Sequence, residues 1–266
     1  MRTALFLLSL LVAMPGFPAT PTRSPAANEF KAGRLGTVTV YAPEGPPTSV
    51  VLFISGDGGW NKGVVEMAQQ LRGWGALVGG VDIRHYLAAL RSAGDSCAYP
   101  AADFEQLGHA LQKRAGLRNY QTPILIGYSS GATLAYAIAA QAPPGTFAAA
   151  ISLGFCPQLP VGRPWCRGAG LAVTPTADHA GVTFHPAPGL KTPWVVLHGE
   201  REQVCSVEAT RAFAADTPSA KFVPLPGVGH GYAVMDNWLP QFRDAYLKLV
   251  TASTELPVSS AAVSDL

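Results

Sequence analysis

The sequence predicts an α/β fold in which helices flank a mostly parallel central sheet. Segments rich in β-branched and other apolar residues alternate with longer segments of helical period, a pattern typical of strands joined by crossover helices. The chain has 266 residues, of which 48% are hydrophobic, so it can bury one sizeable core. We therefore expect a single domain over residues 30–252.

Each element follows from its local pattern. The predicted strands are Thr37–Tyr41, Ser49–Ile54, Ala76–Ile83, Pro123–Tyr128, Ala148–Leu153, Thr192–Leu197 and Lys221–Leu225. The predicted helices are Lys62–Arg72, Ala101–Ala115, Ser130–Ala140, Glu208–Ala215 and Leu239–Leu249. Residues 156–190 contain many Gly and Pro residues without a clear period, so we interpret them as a functional loop or lid. The Ser- and Ala-rich residues 253–266 predict a disordered tail.

The amino terminus has the pattern of an export signal. Arg2 precedes an apolar run that ends near Met14 and is too short to span a bilayer comfortably, and Pro, Gly and Ala follow. We predict a signal peptide over residues 1–19, with the cleavage site open between Ala19 and Ala27. A membrane anchor is the alternative. With the signal peptide removed, the mature protein is expected to be soluble in an oxidising compartment outside the cytoplasm.

Charge and cysteine content narrow the function further. The net charge is +2 and only 14% of residues are charged. The sequence has no stripe of basic residues that could bind a phosphate backbone, so nucleic acid is not expected as a partner. Four cysteines in an exported chain favour disulfides. We predict that Cys156 pairs with Cys166, its neighbour in sequence, which leaves Cys97 with Cys205. No C-x-x-C occurs, and we expect neither a metal nor a cofactor.

A G-x-S-x-G motif lies between an apolar strand and an alanine-rich helix. It reads Gly127-Tyr128-Ser129-Ser130-Gly131. A nucleophile at a sharp strand-to-helix turn needs small neighbours, because its backbone is strained and the helix passes close to the strand. The motif therefore predicts Ser129 as a nucleophile and the α/β-hydrolase fold; a structural turn is the alternative.

A serine nucleophile needs a base and an acid that orients the base. His230 follows the last predicted strand between glycines, where a loop can bring its imidazole over the serine. The acid is expected after the preceding strand, where Glu200 and Glu202 occur. We prefer Glu202, which lies four residues after His198, and Asp236 is a remote alternative. The order serine, acid, histidine is that of α/β-hydrolases.

The oxyanion of an acyl-transfer reaction needs backbone donors. The N–H of Ser130, directly after the nucleophile, is one candidate. The glycine-rich segment after Ile54 supplies the other, for which we predict Asp57 with Gly58 as the alternative. A plain glycine-rich turn is the competing interpretation of this segment.

Four segments in this order resemble the bacterial virulence protein VirJ and the related C-terminal domain of AcvB: FISGDGGW, VDIRHYL, the helix over 99–115 and LIGYSSGA. The similarity runs from about Ser49 to Trp238. It implies export to the periplasm and hydrolysis of aminoacyl-phosphatidylglycerol, or an accessory role in type IV secretion. It also implies the nucleophile, acid and base given above. Ser130 departs from the family, which tends to have an aromatic residue there.

An aminoacyl ester carries a cationic amino group that an acidic side chain can hold. Asp57 is a candidate, although a helix-capping role is equally compatible with its position. We also assign Trp60 and Tyr128 to substrate binding. Trp60, Trp165 and Trp238 are candidates for apolar contact with a lipid at a membrane surface, although buried tryptophans are the commoner case. A carboxylesterase for soluble esters and a non-catalytic envelope protein are the competing functions. The sequence does not indicate the oligomeric state.

Overall fold

The computed structural model describes residues 28–255. The strands are β1 (Asn28–Lys31), β2 (Thr37–Tyr41), β3 (Ser49–Ile54), β4 (Ala76–Val81), β5 (Ile124–Tyr128), β6 (Ala149–Leu153), β7 (Gln158–Leu159), β8 (Val173–Pro175), β9 (Val182–Phe184), β10 (Trp194–Gly199) and β11 (Ala220–Leu225). The helices are α1 (Lys62–Gly73), α2 (Ile83–Ser92), α3 (Pro100–Arg114), α4 (Ser130–Gln141), α5 (Val207–Ala215) and α6 (Leu239–Glu255). Two short 3₁₀ helices span Gly33–Leu35 and Met235–Asn237.

The main sheet has eight strands in the order β1-β2-β4-β3-β5-β6-β10-β11. Every neighbouring pair from β4 to β11 is parallel, whereas β2 is antiparallel to both β1 and β4. The carboxyl ends of six strands therefore lie along one edge. This architecture confirms the α/β-hydrolase fold that the motif predicted.

Helices cover both faces of the sheet. On β3, Leu52 and Ile54 belong to a core formed with α2, α3, α4 and α5, while Val51 and Phe53 belong to a core formed with α1 and α6. Alternate side chains of a strand point to opposite faces, and both faces are buried here. For this reason the central strands are continuous apolar runs in the sequence.

The predicted strands and helices all occur, with shifts at their ends. The strand predicted to reach Ile83 ends at Val81, because Asp82 caps helix α2, which the sequence did not predict. The Oδ1 of Asp82 accepts a hydrogen bond from Arg84 N at 2.9 Å. The last helix runs to Glu255. Residues 253–255, predicted as part of a disordered tail, are therefore helical.

Residues 156–190 contain a small antiparallel sheet of order β7-β9-β8, which their lack of clear period did not predict. The predicted signal peptide and residues 256–266 lie outside the described residues. Among residues 28–255, no helix has the length and apolar character needed to cross a membrane.

Candidate active site

The candidate site lies at the carboxyl edge of the sheet. Ser129 follows β5, Glu202 follows β10 and His230 follows β11. The turn that begins at Gly56 follows β3, the parallel neighbour of β5. Ligands of open α/β sheets bind beyond the carboxyl ends of the strands, and this edge is where the predicted chemistry converges.

Ser129 occupies a strained turn between β5 and α4. Its backbone has φ 55° and ψ −125°, a left-handed φ that is costly for a residue with a side chain. The turn is held by a hydrogen bond of 2.8 Å from Ser129 N to Leu153 O on β6. A Cβ on Gly131 would lie less than 3.0 Å from the carbonyl oxygens of Ile54 and Ser55. The second glycine of the motif therefore lets α4 start directly against the end of β3.

Hydrogen bonds connect the serine, histidine and glutamate side chains in sequence. Ser129 Oγ lies 2.9 Å from His230 Nε2, and His230 Nδ1 lies 2.8 Å from Glu202 Oε2. A proton on Nδ1 satisfies both contacts: Nδ1–H donates to the carboxylate, and Nε2 accepts the serine hydroxyl. In this tautomer the imidazole is ready to take the serine proton.

The structure distinguishes among the three acidic candidates. The side chain of Glu202 is fully buried, and its Oε1 accepts the backbone N–H of Val204 at 2.8 Å. Burial by itself raises the pKa of Glu202, but the Val204 N–H and His230 outweigh it and hold the pKa below its ordinary value of 4.5. Glu200 and Asp236 are both exposed. Glu202 is therefore the carboxylate that stays ionised against the imidazole.

The histidine loop is fixed by aromatic side chains. Tyr128 Oη donates to His230 O at 2.8 Å, and Tyr232 Oη donates to Leu197 O at 2.7 Å. Trp238 Nε1 donates to Tyr232 O at 2.9 Å. Tyr128, which we predicted to bind substrate, thus anchors the main chain of the base. The sequence reading missed Tyr232 because its only local signal was its nearness to His230.

The predicted oxyanion donors lie in a tight turn beside the serine. Gly59 N donates to Gly56 O at 2.8 Å, so Asp57 and Gly58 are the central residues of the turn, and both are exposed. A Cβ on Gly56 would lie 2.9 Å from Ser129 Cβ. The turn therefore touches the nucleophile through Gly56, and Ser130 begins the helix on its other side.

The tryptophans do not form the predicted lipid-contacting surface. Trp165 and Trp238 are 8% and 2% exposed. Trp60 is half-buried, with its ring against Gly80 of β4 and its Nε1 donating to Tyr41 Oη at 3.2 Å. Trp165 and Trp238 are core residues, and most of the Trp60 indole faces the sheet. Trp165 and Trp238 therefore follow the buried alternative, and neither presents its indole for lipid contact.

Both disulfides differ from the predicted pairing: the bonds are Cys97–Cys166 and Cys156–Cys205. Cys156 lies just beyond β6 and Cys205 just beyond β10, and these strands are parallel neighbours. The residues that follow them therefore meet at one edge, whereas Cys156 and Cys166 are close only in sequence. Two disulfides are compatible with an extracytoplasmic protein.

The Cys156–Cys205 bond borders the candidate site. Cys205 N donates to Glu202 Oε1 at 3.4 Å, and Cys205 O lies 3.2 Å from Nε2 of the buried His198. Burial lowers the pKa of His198. Its side chain is fully buried, so this imidazole is a packed support for the loop that carries Cys205. Residues 28–255 contain no cluster of three or more His, Cys, Asp or Glu side chains suited to a metal ion.

Comparison with known proteins gives one family match and several structures of the same fold. The family model described as bacterial virulence protein (VirJ) matches residues 48–151. None of the curated proteins matches the chain. The esterase Est1E from Butyrivibrio proteoclasticus superposes with a TM-score of 0.54 at 14% identity, covering 85% of this chain and 99% of that chain.

Two further solved structures agree. A thermophilic esterase, Est2, from Thermogutta terrifontis has a TM-score of 0.56 at 18% identity, with coverage of 88% of this chain and 95% of that chain. An esterase domain of a Rhodothermus marinus protein has a TM-score of 0.53 at 16% identity, with coverage of 84% and 97%. The chain therefore has the α/β-hydrolase fold, and its resemblance to the VirJ family is confirmed over residues 48–151.

Proposed function

We propose that this protein is a serine hydrolase that cleaves carboxylic esters through an acyl-enzyme. The observation that carries the proposal is the continuous hydrogen-bonded chain from Ser129 through His230 to the buried Glu202. A serine hydroxyl is a weak nucleophile unless an adjacent base takes its proton. Here the base lies within reach and a carboxylate fixes its tautomer.

The reaction follows from these positions. Ser129 Oγ attacks the ester carbonyl carbon while His230 Nε2 takes the hydroxyl proton, and the backbone amides of Ser130 and the 56–59 turn stabilise the oxyanion. His230 then gives its proton to the departing alcohol, leaving an acyl-Ser129. Water attacks the acyl carbon while His230 takes a proton from that water. His230 then returns this proton to Ser129 Oγ as the bond between the acyl carbon and Oγ breaks, which releases the acid product and restores the enzyme.

The preferred substrate is an aminoacyl-phosphatidylglycerol in the periplasm, with a soluble carboxylic ester as the second candidate. Resemblance to the VirJ family supports the first. The exposed Asp57 in the turn beside the serine also supports it, because a carboxylate there can hold the cationic amino group of an aminoacyl ester. The three similar structures named above, each of them an esterase, support the second.

The first experiment tests the nucleophile. Est2 from Thermogutta terrifontis has been solved phosphonylated by sarin, so a fluorophosphonate probe suits this fold. We expect the wild type to be labelled and to hydrolyse a short p-nitrophenyl ester. Ser129→Ala is expected to lose both properties without a change in thermal stability. Ser92→Ala, which removes an exposed hydroxyl from α2, is the matched control.

The second experiment compares substrates. Lysyl- and alanyl-phosphatidylglycerol are assayed beside the p-nitrophenyl ester, with Ser129→Ala protein as the blank. Faster turnover of the lipids supports the aminoacyl-lipid assignment, and turnover of the soluble ester alone contradicts it. A wild-type protein that is neither labelled nor active on any of these esters would refute the enzyme proposal in favour of a non-catalytic envelope role.

A further inference from the structure

The motif VDIRHYL joins β4 to α2 and contributes nothing to the triad, yet it lies at the same edge of the sheet. Its two charged side chains form a close pair. Arg84 Nη2 lies 2.7 Å from Asp82 Oδ2, and Arg84 Nε lies 3.1 Å from Asp82 Oδ1. A bidentate pair fixes the orientation of the guanidinium as well as its distance.

The guanidinium of this pair packs on the turn beside the nucleophile. A Cβ on Gly59 would lie less than 3.0 Å from three atoms of the Arg84 guanidinium group, and Gly59 has φ +75°. Glycine is the residue that permits both this backbone conformation and this close approach. Gly59 closes the turn whose first residue, Gly56, contacts Ser129.

Asp82 lies at the same junction and orients Arg84. Its carboxylate caps α2 through Arg84 N. The pKa of Asp82 is lowered, first by the Arg84 side chain and further by the backbone N–H groups of Arg84 and Trp60, against the opposing effect of burial. Trp60, the residue that follows the turn, therefore interacts with the Asp82 carboxylate through its backbone N–H.

A buried serine ties the start of the turn to the same junction. Ser55 Oγ accepts a hydrogen bond from Ile83 N at 3.0 Å and donates to Gly56 O at 3.2 Å. Both ends of the 56–59 turn are therefore attached to the β4–α2 junction, through Ser55 at one end and through the Asp82–Arg84 pair at the other.

We propose that Asp82 and Arg84 form a positioning pair that holds the 56–59 turn with its amides directed at the acyl oxygen. The inference rests on the proposed ester hydrolysis and deepens it. Donors to an oxyanion accelerate the reaction only when they are fixed before the charge develops. Arg84 is 60% exposed, and exposed ion pairs add little to folding stability. The pair therefore acts on turnover more than on stability.

The test uses the full-length protein and three variants. Arg84→Met keeps much of the side-chain bulk but removes the charge, and Arg84→Lys keeps the charge without the planar guanidinium that makes a bidentate pair. Asp82→Asn keeps a helix-capping residue but removes the carboxylate. The control is Lys248→Met, which breaks an exposed pair with Asp244 of similar N–O distance, 2.8 Å, on α6. Each variant is measured for kcat and KM on the p-nitrophenyl ester, for the rate of fluorophosphonate labelling and for thermal stability.

We expect Arg84→Met and Asp82→Asn to lower kcat and the labelling rate by about 10- to 100-fold, less than complete removal of an oxyanion donor costs. KM and thermal stability are expected to stay near the control values, and Arg84→Lys is expected to recover part of kcat.

Three results would overturn the inference. A rise in KM with unchanged kcat would make Arg84 a substrate contact. Lower thermal stability with normal kcat would make the pair structural. Variants with the kinetics of Lys248→Met would show that the turn needs no such support. A wild type without ester turnover or labelling would instead refute the underlying enzyme proposal.

Discussion

Removing one disulfide at a time distinguishes support of the loop that carries Glu202 from a contribution to overall stability. The Cys156–Cys205 bond closes 49 residues and the Cys97–Cys166 bond closes 69. In the chain-entropy treatment, loops of these lengths each contribute about 4 kcal/mol to the free energy of unfolding. The paired variants Cys156→Ala/Cys205→Ala and Cys97→Ala/Cys166→Ala are therefore expected to lose similar stability.

Their effects on turnover are expected to differ. Cys205 and Val204 both donate backbone N–H groups to Glu202 Oε1, so release of Cys205 loosens the carboxylate that orients His230. A hydrogen bond to a charged group contributes about 1.5–3 kcal/mol. Loss of that amount from the transition state corresponds to roughly a 10- to 100-fold fall in kcat. The Cys97–Cys166 bond joins the segment before α3 to residues 156–190. Among the described residues, neither of these two cysteines forms a hydrogen bond with Glu202.

The assay compares kcat on the p-nitrophenyl ester at a temperature where urea titration shows both variants to be folded. Stability is taken from the same titrations, fitted with a common slope. The reasoning is refuted if the two variants lose equal fractions of kcat, or if the variant without Cys156–Cys205 keeps wild-type turnover.

Two further predictions concern the strand-to-helix turn at Ser129 and the carboxylate of Glu202. Gly131→Ala would press a methyl group on the main chain of Ile54 and Ser55, so we expect a loss of about 1–3 kcal/mol in the free energy of unfolding and slower fluorophosphonate labelling. The control is Gly73→Ala, whose added methyl group meets open space. Labelling of Gly131→Ala at the wild-type rate would contradict the expectation. The lowered pKa of Glu202 means that its ionised form stabilises the fold above pH 4.5 and that this stability is lost as the pH falls through the lowered pKa. The stability of Glu202→Gln is therefore expected to depend less on pH below 4.5 than that of the wild type, and parallel pH profiles would argue against it.

The pattern along the chain was sufficient for the central strands and most helices, but not for α2 or the small sheet within residues 156–190. Segments rich in β-branched and other apolar residues, such as Ser49–Ile54, predicted the strands, and β2 and β3 have the predicted bounds. The glycines around Ser129 predicted a tight strand-to-helix turn, because small residues are required wherever backbone passes close to backbone. These signals are local, and a single sequence expresses them directly.

The contacts between loops were decided by tertiary structure. The sheet order places β6 beside β10 although 40 residues separate Leu153 from Trp194, and this adjacency determined the disulfide pairing against nearness in sequence. Packing between other distant segments likewise gave Tyr128 a hydrogen bond to the His230 main chain and buried Trp165 and Trp238. The sequence alone indicated most of the segments that form strands and helices and which residues carry reactive groups. Which of those groups meet depended on the spatial order of the strands, since side chains from distant segments become neighbours only when the sheet brings the ends of their strands to one edge.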